Sequence, residues 1–239
     1  VGYLALTAIT TGSQNVAVGQ NTADAVTTGS SNVAVGAHAL GQTTTGSNNT
    51  AVGHNALTAN TTASSNTAMG HNCFTANTTG TNNAGFGRDA GERVTTGSQN
   101  TLIGDNAGEN ITTTDNNTFI GRSAGSLVTS GADNTIIGRY NGNQDGVDIR
   151  TASNNIVLSD GDGNARFRID SNGDASVPGS NSQAILTSSH SGAASATNRY
   201  GAVMSTAAFT IHSGSGTASD TALSIFTSHG GAGGSTLAK

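Results

Sequence analysis

The stretch "SNNTAVGHNAL", Ser47–Leu57, is followed 17 residues further on by "SSNTAMGHNCF", Ser64–Phe74. The copying extends both ways. The Asn that opens the block recurs at Asn15, Asn32, Asn49, Asn66, Asn83, Asn100, Asn117 and Asn134. The Gly that closes it recurs at Gly19, Gly36, Gly53, Gly70, Gly87, Gly104, Gly121 and Gly138, and Gly2 is in phase. Every step is 17 residues, so the chain opens inside a further copy and reads as a piece trimmed from something longer. Self-similarity at a fixed short period is the mark of a stacked repeat architecture.

Composition narrows the choice. Hydrophobic residues make up 33%, aromatics 4% and charged residues 10%, with one Pro. Ordinary domains hold roughly 45–50% apolar and about 25% charged residues. Disordered chains are also poor in hydrophobes but rich in charge and Pro. Up to Phe86 the only charged side chain is Asp24; Gly, Ser, Thr and Asn dominate. An exact period with little charge points to stacked β-structure. No run of about 18 apolar residues offers a membrane helix. A net charge of −5 argues against a nucleic-acid partner. The single cysteine, Cys73, excludes a disulfide within the chain.

A unit of 17 residues is too short for a helix pair and suits one coil of a parallel β-solenoid. Side chains alternate across a strand. The fourth position of the block reads Val18, Val35, Val52, Met69, Phe86, Ile103, Ile120, Ile137, and this always-apolar column is expected to form the coil core. A tighter interior column is expected at Ala39, Ala56, Cys73, Ala90, Ala107 and Ala124. Thr-Thr-Gly, as at Thr28 and Thr45, supplies the turn, with Gly taking positive φ. The opening Asn residues are placed to stack as an amide ladder. The middle position grows from Ala17, Ala34, Ala51, Ala68 and Gly85 to Leu102, Phe119 and Ile136. Another column shrinks as it does so, from Leu40, Leu57 and Phe74 to Gly91, Gly108 and Gly125. Such compensation implies packing. With the fourth position inside, these columns fall outside, so Leu102, Phe119, Ile136, Leu40, Leu57 and Phe74 are assigned to an interface between chains. A thin rod has little core of its own, and a three-fold assembly is the simplest closed arrangement.

"NVAVG" and "NTAVGHNAL" resemble the head repeats of trimeric autotransporter adhesins, which are left-handed parallel β-rolls trimerised side by side. The 17-residue spacing with "ANTTGS"-type linkers resembles the repeats of bacteriophage tail fibres more closely. "NNIVLSDGDGNARFRIDSNGDASVPG", Asn154–Gly179, is similar to segments near the distal end of such fibres. The likeness covers residues 1–139 and 154–179. It implies an all-β homotrimeric fibre in the virion tail that binds a host-surface glycan or protein receptor and adjoins other tail proteins. It does not imply an enzyme, and no cofactor or metal is expected. The alternative is a bacterial trimeric adhesin head on the outer surface of a cell. A second alternative, a monomeric ice-binding solenoid, would need Thr at alternate strand positions in every coil.

Three regions are expected: a rod over 1–139, a β-hairpin neck over 140–178, and a Ser/Gly/Ala-rich β tip over 179–239. In the neck, "NNIVLS" and "ARFRID" read as strands around the turn "DGDGN", with "DASV" as a third strand. Asp160–Asn164 has the start of a calcium loop but Ala165 and Ser171 where Gly and Glu belong; a hairpin turn fits better, as it does for Asp170–Asp174. His54 and His71 share a column that continues as Arg88, Asp105, Arg122 and Arg139, and this reads as a polar surface stripe. In the tip, Tyr200, Phe209, His212, Phe226 and His229 are the candidates for receptor contact.

Overall fold

The computed structural model describes residues 2–178. The tip, with Tyr200, Phe209, His212, Phe226 and His229, lies outside the described residues. The described residues belong to one compact unit.

The described chain is β-structure without helix. Each repeat contributes one three-residue strand: β1 Val16–Val18, β2 Val33–Val35, β3 Thr50–Val52, β4 Thr67–Met69, β5 Ala84–Phe86, β6 Thr101–Ile103, β7 Thr118–Ile120 and β8 Thr135–Ile137. They pair in parallel and in phase, Val33 on Thr50, Ala34 on Ala51, Val35 on Val52 and onward. This is a β-solenoid of about eight turns, each coil laid on the previous one.

The 17-residue rhythm stops after β8, but the sheet does not. The chain makes a small antiparallel hairpin, β9 Asn143–Gln144 with β10 Val147–Asp148, and then re-enters the stack. β11, Ile156–Ser159, pairs in parallel with β8 as a ninth rung. β12, Ala165–Ile169, and β13, Ala175–Ser176, then turn back antiparallel. The three strands expected over residues 154–178 are therefore present. The boundary at 139/140 marks a longer coil rather than an end of the sheet. Asp160 forms the turn between β11 and β12, its carboxylate accepting from Asp162 N (3.0 Å), Asn164 N (2.9 Å) and Arg166.

The amide ladder is continuous. In each coil Oδ1 of the Asn accepts the backbone N–H of the Asn one coil on, as from Asn49 to Asn32 (3.0 Å) and from Asn66 to Asn49 (3.1 Å). From Asn15 to Asn100, Nδ2 donates to a carbonyl 14 residues ahead, as Asn66 does to Gly80 (2.9 Å). The ladder crosses the longer coil too, since Asn134 Oδ1 accepts from Asn155 N at 2.9 Å. A second ladder runs along the Thr column, where Thr44, Thr61, Thr78 and Thr95 each donate a hydroxyl to the carbonyl of the next coil. Short polar side chains thus satisfy the backbone that short strands leave unpaired.

The backbone explains much of the remaining monotony. Asn48, Asn55, Asn72, Asn82, Asn106 and Asn116 all have φ between 53° and 60°, a region that Asn tolerates better than most residues. The Thr-Thr-Gly glycine is a correction. Gly29 and Gly46 do not take positive φ; the left-handed residue stands two places later, at Ser31 and Asn48. Ala63 and Thr114 occupy the same column as these glycines, as an ordinary backbone permits. Left-handed glycine belongs instead to the block-closing column. Gly53 has φ 139°, and a Cβ there would stand 2.6 Å from the Gly70 carbonyl carbon.

The core expectation is inverted. The middle residue of each strand is the interior one: Ala34, Ala51, Ala68, Leu102, Phe119 and Ile136 are fully buried within a single chain. The column assigned to the core faces out, with Val18 45%, Met69 40%, Phe86 39%, Ile103 37% and Ile137 46% exposed, and Val35, Val52 and Ile120 half-buried. Leu40, Leu57 and Phe74 are also fully buried in their own coil, so none of the six residues assigned to an interface between chains is available for one. A three-residue strand offers one inward position, and here it is the centre. The compensation is real but internal: a Cβ on Gly85 would meet Cys73 Sγ at 2.5 Å and Phe74 Cε2 at 2.6 Å. The Ala39, Ala56, Cys73, Ala90 column is buried as expected.

Candidate functional site

The outward face of the sheet carries two ranks of side chains. One is Val16, Val33, Thr50, Thr67, Ala84, Thr101, Thr118, Thr135 and Ile156; the other is Val18, Val35, Val52, Met69, Phe86, Ile103, Ile120, Ile137 and Leu158. The second rank holds no polar residue. At ~4.8 Å per rung and ~7 Å between ranks, the strip is about 40 Å long and exposes on the order of 500 Å². That lies toward the upper end of what a monomer leaves bare. It is somewhat less than the ~800 Å² each partner contributes to a standard interface. Nothing in the chain covers it among the described residues.

The turn after each strand carries the polar stripe. His54 and His71 stack with ring centroids 5.4 Å apart and planes 10° apart. His38, one place out of phase, turns its ring edge-on to His54 at 6.0 Å. His71 Nδ1 lies 3.7 Å from Asp89 Oδ1. The stripe continues as a chain of ion pairs, Arg88 to Asp89 (2.7 Å), Arg88 to Asp105 (2.9 Å) and Arg122 to Asp105 (3.9 Å). No group of three or more His, Cys, Asp or Glu suited to a metal ion occurs among the described residues. Cys73 is buried in the interior Ala column, and burial pushes its thiol up to about 12, so it packs as a small hydrophobe.

The longer coil makes a notch that sequence reasoning missed. The end of the β9–β10 hairpin and the residues after it meet the preceding coils at an open cavity of about 290 Å³, lined by Asn110, Leu127, Thr129, Asp148, Arg150 and Thr151. Asp148 and Arg150 pair in bidentate fashion, Nε to Oδ1 at 3.0 Å and Nη2 to Oδ2 at 2.7 Å. Tyr140 anchors the hairpin from inside. Its buried ring plugs the core, and its hydroxyl donates to the Val147 carbonyl at 2.7 Å. The only sequence signal for this place is the step from Asn134 to Asn155, four residues longer than the repeat.

Comparison with protein-family models, with curated proteins and with solved structures returns no match to this chain.

Proposed function

We propose that this chain is part of a homotrimeric adhesive fibre, a bacteriophage tail fibre that recognises a host-cell surface. The observation that carries the reading is the unbroken apolar rank from Val18 to Leu158 along one face of the rod. Three copies set side by side with this face inward bury the rank along a common axis and leave the polar turns outside. The closed three-fold arrangement avoids an open-ended lateral aggregate. The interface is thus the outer rank, in place of the columns from Leu40 and Leu102 that fill the coil.

Such a shaft is stiff because every coil is tied to the next by strand, Asn and Thr ladders. Interlocked chains of this kind unfold slowly, and three copies bind a dense surface by avidity. An ice-binding face is disfavoured: only one outer rank carries Thr, and Met69 and Phe86 interrupt the flatness of the other. The bacterial adhesin head shares the same assembly and differs in its target. Labelled protein is therefore to be incubated with intact bacteria, isolated envelope polysaccharide and animal matrix proteins. Saturable binding to bacterial envelope supports the tail fibre. Binding to matrix protein alone replaces it with the adhesin head.

A further inference from the structure

We infer that the notch beside the end of the β9–β10 hairpin is a saccharide subsite that takes one ring of a neutral surface glycan; the inference rests on the adhesive reading above. A repetitive rod has flat or convex sides, and this is a place where the chain leaves the stack and returns to it. The cavity of about 290 Å³ is near the low end of small-ligand sites, roughly 300–1,000 Å³. That limits the occupant to something about the size of one sugar ring.

The lining chemistry suits a polyol. Leu127, 42% exposed, gives an apolar floor for the C–H face of a ring. Asp148 and Arg150 hold each other in a plane, presenting an acceptor and a donor side by side, the spacing that adjacent hydroxyls require. Because the two charges are paired, the notch favours a neutral ligand over an anion. The Thr129 hydroxyl donates to the Arg150 carbonyl at 3.3 Å and keeps acceptor capacity, and Thr151 adds a second hydroxyl. Asn110 is already fixed. Its Nδ2 donates to the Ser126 carbonyl at 2.6 Å and its Oδ1 accepts from Arg93 at 2.7 Å, so it forms a rigid wall. The site is therefore largely preorganised, which lowers the ordering cost of binding.

The test uses the full chain and a panel of neutral hexoses, amino sugars and uronic acids, read by saturation-transfer NMR and calorimetry. Leu127→Arg fills the notch. Ala76→Arg places the same side chain in the same column three coils earlier, away from it, and Arg93 already occupies that column. The expected result is saturable binding of a neutral sugar that falls at least tenfold in Leu127→Arg and is unchanged in Ala76→Arg. Sugar binding unaffected by Leu127→Arg overturns the notch as the site and leaves the adhesive reading standing. No sugar binding at all, or preference for uronic acids, also overturns it. The cell-binding assay above then decides separately whether the protein is adhesive.

Discussion

Phe74 in one coil occupies the space that Gly91, one coil on, leaves empty. A Cβ on Gly91 would also stand 2.8 Å from Leu102 Cδ1, and Gly91 has φ 60°. Leu40 and Leu57 hold the same column at φ 52° and 51°, where the strand centres beside them are Ala. The coil interior thus has two ways to be filled: a large residue at the turn with a small one in the strand, or the reverse. Gly91→Leu is expected to destabilise the protein by about 1–3 kcal/mol through overpacking. Leu102→Ala in the same chain is expected to recover part of that loss, with a favourable coupling of about 0.5–3 kcal/mol. Denaturant melts of the two single variants and the double variant measure it; additive losses would contradict a shared cavity.

The Asn ladder makes a second expectation. Asn66 accepts from Asn83 N (2.9 Å) and donates to the Gly80 carbonyl, and it is fully buried. Asn66→Ala strands the Asn83 N–H away from water, while the Gly80 carbonyl keeps a bond from Asn77 Nδ2 at 3.0 Å. One orphaned buried donor plus the lost bonds cost roughly 2–4 kcal/mol. The same change at the exposed Asn82 is expected to cost much less, limited to its left-handed φ of 58°. Equal losses at the two sites would remove the special standing of the ladder.

Asn60 and Asn77 are a local conflict. They sit buried in a column that also holds Val26, Val94, Ile111 and Val128, together with Thr43, whose hydroxyl accepts from Asn60 Nδ2 at 3.1 Å, and Asn77 Oδ1 has no hydrogen-bond partner. Asn77 Nδ2 donates to Asn60 Oδ1 at 3.2 Å, so replacing Asn77 alone orphans Asn60 Oδ1. The carbonyls they serve, Ala63 and Gly80, also accept from Asn49 and Asn66. Asn60→Val with Asn77→Val removes both amide groups and leaves only the Thr43 hydroxyl short of a donor, so it is expected to be near neutral. Asn77→Val alone is expected to melt at a lower temperature than the double variant; the reverse order would refute the pairing.

Asp148 supplies a pH expectation. Its carboxyl is held down to about 2, first by the side-chain hydrogen bond from Arg150 and then by the Arg150 backbone N–H. A depressed folded value means that the pairing contributes above the ordinary carboxyl value and is lost as pH falls from about 4 through about 2. A carboxyl titration by NMR should give a midpoint near 2 in the parent, moving up toward 3.8 in Arg150→Gln. An unshifted midpoint in the variant would break the assigned pair.

Much of the rod was legible from Ser47–Phe74 alone. The 17-residue phase gives a parallel in-register stack, and the Asn and Ala/Cys73 columns fall where expected. What failed was parity. Alternation says that Ala51 and Val52 face opposite ways, but not which way is in. Bulk pointed to Val52, and bulk misled because the Leu57 column already fills the coil and leaves room only for Ala at the strand centre. The exchange of volume between the Leu57 and Leu102 columns was the better signal, since columns that compensate must touch, as Phe74 and Leu102 do at Gly85 and Gly91. The notch was not legible, because a hairpin inserted in a coil leaves no periodic trace beyond its four extra residues.

The central claim is that the outer rank joins three copies of this chain, and native mass spectrometry or light scattering measures it directly. The account predicts a particle of three times the 23.5 kDa chain mass. Ile103→Asp with Ile120→Asp, on exposed and half-buried outer positions, should break that particle to single chains that keep their β-sheet spectrum. A folded parent chain that runs as a monomer at micromolar concentration, or a trimer that survives both substitutions, would contradict it.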